Sequence, residues 1–417
     1  MRDMLGREEL VPVGKALELL LACAPFRQPS GKIVLLDQAY GMIASKNIFS
    51  PEDLPSFSRA TVDGYAVKSP DTFGATDSLP AYLAIRGEIS MGEKPSLSLK
   101  QGEAGVIPTG GMLPDGADAV VMFEHTQQID ETTVEIQKPV SPGENVIQAG
   151  EDVQQGSLIF RIGHRFRPQD IGALAGLGIP EVEVFEKPRV SILSTGDEIV
   201  PASGPVKPGQ VRDINSYTLS GLVLNAGGAP LKKGIFPDDY AILRNTLEQS
   251  LIDSETILIT GGSSVGTKDM TAKVINDLGS PGVLFHGVSL KPGKPMIGGV
   301  VNGTPIFGLP GHPVAVHICF ELFIRPVLEE IAGLQDKRSS FLAKTVKARI
   351  AKNISSSPGR EEHVGVILEE REGEVWAVPI FGKSGLITNL TLADGTAVVP
   401  LRKFGLHEGD VVEVRLF

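Results

Sequence analysis

The sequence predicts a multidomain protein of the α/β plus β class, built around a central three-layer α/β domain with a mostly parallel sheet. Three observations carry that prediction. Between about residues 189 and 333, short apolar runs rich in β-branched residues alternate with helical patterns, as in βαβ units. On either side, residues 79–146 and 343–416 show short strands separated by Gly and Pro, without helical periodicity. The chain has 417 residues and an apolar fraction of 41%, enough for two to four domains with a sizeable core.

Composition narrows the function classes. Fifty acids against 39 bases give a net charge of −11, which argues against non-specific nucleic-acid or membrane-surface binding. No uninterrupted apolar run reaches ~18 residues, so no transmembrane helix is expected. The N-terminus lacks a basic region followed by a signal-like apolar run, and the expected compartment is the cytoplasm. Cys23 and Cys319 both fall in apolar helical patterns and read as reduced core residues without metal-ligand spacing.

In chain order, residues 13–24 read as a helix with Pro12 at its start. Residues 31–44 mix apolar positions with a Tyr-Gly pair and leave helix and strand open. Residues 51–67 read as an ordered loop turning into a strand, although Asp63-Gly64 also fits a hairpin turn. A compact β domain follows, with a Thr109-Gly-Gly loop and a Pro-Asp-Gly turn ahead of an apolar strand. Gly150-Glu-Asp152 begins a return segment with a helix at 168–176 and a strand at 181–185. In the α/β region the strands are 190–194, 231–236, 257–260, 283–288 and 306–309; the helices are 215–226, 239–251, 271–278 and 314–331. Strands at 343–350, 364–369, 375–380, 397–400 and 411–416 then form a small barrel or sandwich.

The most informative stretch is Thr256-Ile-Leu-Ile-Thr-Gly-Gly-Ser-Ser-Val-Gly-Thr-Lys-Asp269. A buried strand runs into a Gly-rich turn, and a helix pattern starts at about residue 269. This arrangement points backbone N–H groups at an anion. Its Gly spacing matches neither a dinucleotide fingerprint nor a P-loop. Two further strands end in similar loops, Val190-Ser-Ile-Leu-Ser-Thr-Gly-Asp-Glu198 and Pro305-Ile-Phe-Gly-Leu-Pro-Gly-His-Pro313. Ligands of parallel sheets gather at the carboxyl ends of the strands, so the three loops should meet.

Acids follow successive strands: Asp197 and Glu198, Asp238 and Asp239, and Asp269. Singly, each reads as a helix cap. Together in one cleft they would repel unless a cation joined them, and hard oxygen ligands suit Mg²⁺ bridging to a phosphate. Lys291-Pro-Gly-Lys294-Pro displays two ammoniums on a constrained turn, suited to a polyanion. Pro313 falls in the first turn of the long helix, where free N–H groups can meet an anion. His312 reads as either a ligand contact or a solvent-facing loop residue. These features predict a phosphate-bearing ligand, a divalent cation and a second small anion in one cleft.

Over nearly its whole length the chain resembles the molybdopterin molybdenumtransferases, the family of the MoeA proteins and the gephyrin E domain. The matching motifs are Arg59-Ala-Thr-Val-Asp63-Gly-Tyr-Ala-Val67, Pro108-Thr109-Gly-Gly, Ala149-Gly-Glu-Asp152, Ser194-Thr-Gly-Asp-Glu198, Asp238-Asp239, the Thr260–Asp269 stretch, Lys291-Pro-Gly-Lys294-Pro and Leu309-Pro-Gly-His-Pro313. The chain departs from the family pattern at His312, usually Asn, at Ala60-Thr-Val62, usually Ser-Ala-Met, and at Gly287, often Lys.

The resemblance implies a linking domain in two parts (1–50, with the N-terminal helix, and 148–187), an inserted β domain (51–147), an α/β molybdopterin-binding domain (188–334) and a C-terminal β-barrel (335–417). It implies that adenylylated molybdopterin and molybdate are substrates, that molybdate is inserted with release of AMP, and that Mg²⁺ assists. Asp63, Glu198, Asp238 and Asp269 are the implied catalytic residues, the last three also the Mg²⁺ ligands. The implied substrate-binding residues are Thr109, Asp152, Gly261, Gly262, Ser263, Ser264, Gly266, Lys291, Lys294, Pro310, Gly311, Pro313, Arg360 and Ser384. It also implies a homodimer with composite sites, pairing Asp269 of one chain with the partner's Arg360. Hand-over contacts with a molybdopterin adenylyltransferase and with molybdoenzyme apoproteins are expected too. The alternatives are an adenylyltransferase-like enzyme, which would need only the α/β module, and a non-catalytic pterin-binding scaffold, which could lose the strand-end acids.

Overall fold

The computed structural model describes residues 10–261, 265–335 and 345–417, residues 265–269 by their backbone alone. The central sheet has six strands in the order Ala229–Phe236, Arg189–Thr195, Thr256–Gly261, Thr304–Leu309, Ile297–Val301, Pro281–His286. The first four are parallel. The last two are joined antiparallel, so the sheet is mixed at one edge. Successive side chains of a strand point to opposite faces. Val190, Ile192 and Leu258 pack with Leu219, Val223 and Phe320 on one face. Leu193, Ile257 and Ile259 pack with Leu243, Leu247 and Ile275 on the other. Burying each such aliphatic side chain stabilises the fold by about 1.5–3 kcal/mol.

The N-terminal helix, Val13–Leu21, is shorter than its sequence pattern suggested. It sets the fully buried Ala16 and Leu20 into the α/β core rather than the linking domain. Two backbone bonds fix its entry: Val11 N–H donates to Gly287 O at 3.2 Å, and Ser289 N–H to Val11 O at 2.8 Å. The long helix after Pro313 is continuous but not uniform. Pro313–Cys319 and Arg325–Ile331 are α-helical, and Phe320–Ile324 is a π turn between them. Pro326 has no N–H to give to the preceding turn, and the helix absorbs a wide turn just before it.

The linking domain is a ladder of antiparallel pairs between the outgoing and returning chain. Gly31–Leu35 pairs with Glu181–Phe185, Ile48–Phe49 with Leu158–Phe160, and Arg59–Ala60 with Val146–Ile147. Between them stands the β domain, a six-stranded sheet with Gly64–Val67 between Ala119–Met122 and Glu103–Ile107. Asp63-Gly64 is therefore not a hairpin turn. Gly64 is already in a strand, and a Cβ on it would collide with Val121 O of the neighbouring strand.

The C-terminal region is a closed five-stranded barrel rather than a sandwich. Glu361–Arg371 closes it by pairing with both Glu374–Pro379 and Gly395–Val399. The short strand Leu290–Lys291 of the α/β domain adds to it in parallel, Leu290 opposite Glu361 and Lys291 opposite Glu362. Among the described residues no helix is long and apolar enough to cross a membrane.

Candidate active site

The parallel strands end on one side of the sheet, and their ends are pulled together by glycine. Gly261 pairs with Thr195 at the end of the ladder, with a φ of +116°. A Cβ there would overlap Thr195 O, so only glycine lets the two strand ends approach this closely. The helix after the Gly-rich turn starts at Val265, earlier than the sequence suggested. Gly266 lies in its first turn. Gly262, Ser263 and Ser264 lie outside the described residues, as does the side chain of Asp269.

A cleft of about 310 Å³ opens where these ends meet, lined by Ser194, Glu198, Asn215, Gly261, Gly311 and Pro313 among others. Three of the sequence-predicted loops thus converge. Pro310 is buried behind them. Asn215, which the sequence reading passed over, clamps two of them. Its Nδ2 donates to Thr260 Oγ1 and to Gly311 O, both at 2.9 Å. Its Oδ1 is buried without a hydrogen-bond partner among the described residues. Asp213 caps the same helix by accepting from Ser216 N–H at 3.0 Å, and its other oxygen accepts from Ser194 Oγ at 3.0 Å.

The strand-end acids divide. Asp239 is a helix cap, accepting from Ile242 N–H at 2.9 Å. Asp238 is not the capping residue; its exposed side chain stands at the end of the strand next to the one that leads to Glu198. Glu198 is half-buried in the cleft wall. Among the described residues, no group of three or more His, Cys, Asp or Glu side chains could hold a metal. Mg²⁺ ordinarily takes one or two carboxylates with waters and a substrate phosphate, so the hard donors Glu198 and Asp238 suit it chemically.

A second cavity of about 450 Å³ adjoins through His312, which lines both. It lies between the α/β domain and the barrel of the same chain and includes Lys291, Glu362, Lys383 and Ser384. His312 Nδ1 and Ser384 Oγ are hydrogen-bonded at 2.9 Å. Val314 N–H, one of the helix-start donors expected to be free, already donates to Ser384 O at 3.4 Å. Lys291 Nζ is 2.7 Å from Glu362 Oε1. Lys294 is exposed on the same turn. Cys319 Sγ packs behind that turn, 2.9 Å from where a Cβ on Gly293 would be, and burial pushes its thiol pKa up.

This docking corrects one expectation. Arg360 directly precedes Glu361, whose N–H donates to Ser289 O at 2.8 Å, so the barrel loops belong to the α/β cleft of their own chain. A site pairing Asp269 with the partner's Arg360 has no support in this arrangement. The other predicted residues lie elsewhere. Thr109 N–H and Oγ1 donate to Asp63 Oδ1 at 2.7 and 2.9 Å. These bonds, the backbone one first, hold the Asp63 carboxyl below its usual range. Ala60 exchanges backbone bonds with Gly110 and Gly111, which fixes the Thr109 loop against the Asp63 segment. Among the described residues no hydrogen bond or ion pair joins the β domain to the α/β domain. Asp152 is exposed where the chain leaves that domain, its N–H donating to Leu54 O at 3.1 Å.

Three family descriptions match successive parts of the chain: "MoeA N-terminal region (domain I and II)" over 11–178, "Probable molybdopterin binding domain" over 191–330, and "MoeA C-terminal region (domain IV)" over 347–417. Molybdopterin molybdenumtransferase 2 of Mycobacterium tuberculosis is 33% identical over 86% of this chain and 87% of its own length. The chain belongs to the MoeA family. Molybdopterin molybdenumtransferase of Bacillus subtilis is 30% identical over 99% of this chain and 95% of its own. Among solved structures, a molybdopterin biosynthesis MoeA protein from Pyrococcus horikoshii OT3 superposes with a TM-score of 0.84 at 32% identity, covering 98% of this chain and 100% of that one.

Proposed function

We infer that this MoeA-family chain is a molybdopterin molybdenumtransferase of molybdenum cofactor biosynthesis. On this reading it inserts molybdate into adenylylated molybdopterin and releases AMP. The observation that carries it is the convergence of Glu198, Gly261, Gly311 and Pro313 on one cleft that adjoins the Lys291–Ser384 cavity. A large ligand with a phosphoanhydride and a small dianion need adjacent spaces, one offering carboxylates for a cation and the other offering ammonium and hydroxyl donors. Glu198 and Asp238, with Asp269, would hold Mg²⁺, which when bound supplies charge neutralisation at the phosphoanhydride. Gly261, Gly266, Gly311 and the residues around them bring backbone close to the ligand. Lys291, Lys294, Arg360 and Ser384 hold and orient the anion.

The β domain supports a homodimer. Asp63 and Thr109 have no bond to the cleft of their own chain, so we place them over the cleft of a second copy. This exchanges the earlier pairing through Arg360 for one through the β domain.

The deciding measurement is AMP release from adenylylated molybdopterin, with and without molybdate and Mg²⁺. Release that needs both is expected. Formation of adenylylated product from ATP and molybdopterin would favour the adenylyltransferase reading. Tight pterin binding with no AMP under any condition would favour the scaffold.

A further inference from the structure

We propose that Glu362 is a positioning residue that holds the Lys291 ammonium in place and makes every incoming anion compete for it, so that the cavity admits a dianion in preference to a monoanion. The proposal rests on reading this cavity as the molybdate side of the site. Glu362 is the one acidic side chain among the lining residues, against Lys291 and Lys383. It is largely buried, its side chain 12% exposed, whereas that of Lys291 is 47% exposed. One carboxylate oxygen meets Lys291 Nζ at 2.7 Å and the other accepts from Ser356 Oγ. Backbone pairing of Lys291 with Glu362 sets the two residues side by side across the domain junction.

A lysine on a flexible stem is otherwise a loosely placed point charge. Here the carboxylate fixes it from the protein side and leaves the rest of the ammonium open to the cavity. An anion of single charge offers Lys291 little that Glu362 does not already give. A dianion offers roughly twice the Coulomb attraction at the same distance, and it gains more from sharing Lys291 with Lys383. Selectivity then comes from a built-in competitor rather than from extra contacts.

Molybdate and perrhenate are tetrahedral oxyanions of similar size that differ in charge. Their binding should be compared by calorimetry, at fixed ionic strength, for the full-length protein and its variants. The unaltered protein should prefer molybdate. Glu362→Gln should tighten perrhenate by on the order of fivefold and molybdate by less, shrinking the ratio. In turnover it should move KM for molybdate while kcat stays. Lys291→Ala should weaken both anions, and adding Glu362→Gln to it should change nothing further, which a purely structural role for Glu362 would not produce. Ser356→Ala, which keeps the charge but frees one carboxylate oxygen, should move the ratio in the same direction by less, and it tests the idea if Glu362→Gln does not fold. An unchanged ratio in both variants, with molybdate binding still lost in Lys291→Ala, overturns the role of Glu362 and leaves the cavity's assignment standing. Molybdate binding that is absent, or indifferent to Lys291→Ala, overturns both.

Discussion

The cleft at the carboxyl ends of the parallel strands draws on distant parts of the chain, whereas the Asp63–Thr109 pair of the β domain is closed on itself. In the cleft, Asn215 ties together Thr260 and Gly311. His312 ties the helix start to Ser384 of the barrel. In the β domain, one carboxylate oxygen takes both Thr109 donors, and Ala60 locks the loop behind it. The cleft is shaped to be completed by a ligand. The pair is an already finished element presented on an exposed loop. A finished, exposed anionic group is what a domain offers to a site located elsewhere, and that difference makes the assembly testable.

The largest effects should come from removing one acid on each side of the comparison. Glu198→Ala and Asp63→Ala are each expected to lower molybdate-dependent AMP release by about 10²–10³-fold, with the fold intact by circular dichroism. When the two variants are co-expressed and verified mixed dimers isolated, one site carries both defects and the other neither. Activity should then return to about half that of the unaltered protein. Mixed dimers as inactive as the parents would place Asp63 with the cleft of its own chain. Full activity in Asp63→Ala alone would make the pair a structural support for the Thr109 loop.

A smaller effect separates the glycines of the two regions. Gly64 and Gly261 both lie where a Cβ would meet a neighbouring strand's carbonyl, but Gly261 also has a φ of +116°. Gly261→Ala should cost about 1–3 kcal/mol in backbone strain and reduce turnover, because it parts the strand ends that form the cleft. Gly64→Ala should lower denaturant stability without touching ligand binding in the cleft. If Gly261→Ala matched the unaltered protein in both stability and turnover, close approach of Thr195 and Gly261 would not shape the site.

Much of this was legible in the sequence, for a physical reason. Buried parallel strands are short apolar runs, so Arg189–Thr195, Thr256–Gly261 and Thr304–Leu309 stand out from their surroundings. The antiparallel strand Ile297–Val301 did not, because Gly298 and Gly299 give it the look of a loop. They are glycines because Phe285 and the Gly282 carbonyl occupy the space of their side chains. The π turn at Phe320–Ile324 was equally hidden, since one wide turn hardly disturbs an apolar pattern. Strand-end loops announced the cleft, but Asn215 did not announce its clamp. Nor did Glu362 announce Lys291 or Ser384 announce His312, because those contacts join residues far apart in sequence across a domain junction.

The smallest expected effect probes whether the β-domain pair really is self-contained. Thr109 holds Asp63 ionised through two bonds, the backbone N–H contributing first and the hydroxyl second. A carboxyl whose folded-state pKa lies below its unfolded value favours folding above the unfolded pKa. That contribution is lost as pH falls through the folded pKa. Thr109→Val removes the hydroxyl donor and keeps the backbone one. Carbon-13 NMR titration of the Asp63 carboxyl should therefore show its pKa rising only part of the way to the ordinary range, and Thr109→Ser should return it. Because the pair is exposed, the shift in acid stability should be slight, and it is the site titration that decides. A titration curve unmoved by Thr109→Val would mean the hydroxyl bond is not held in solution, and the loop would then be organised by Ala60 and the backbone alone.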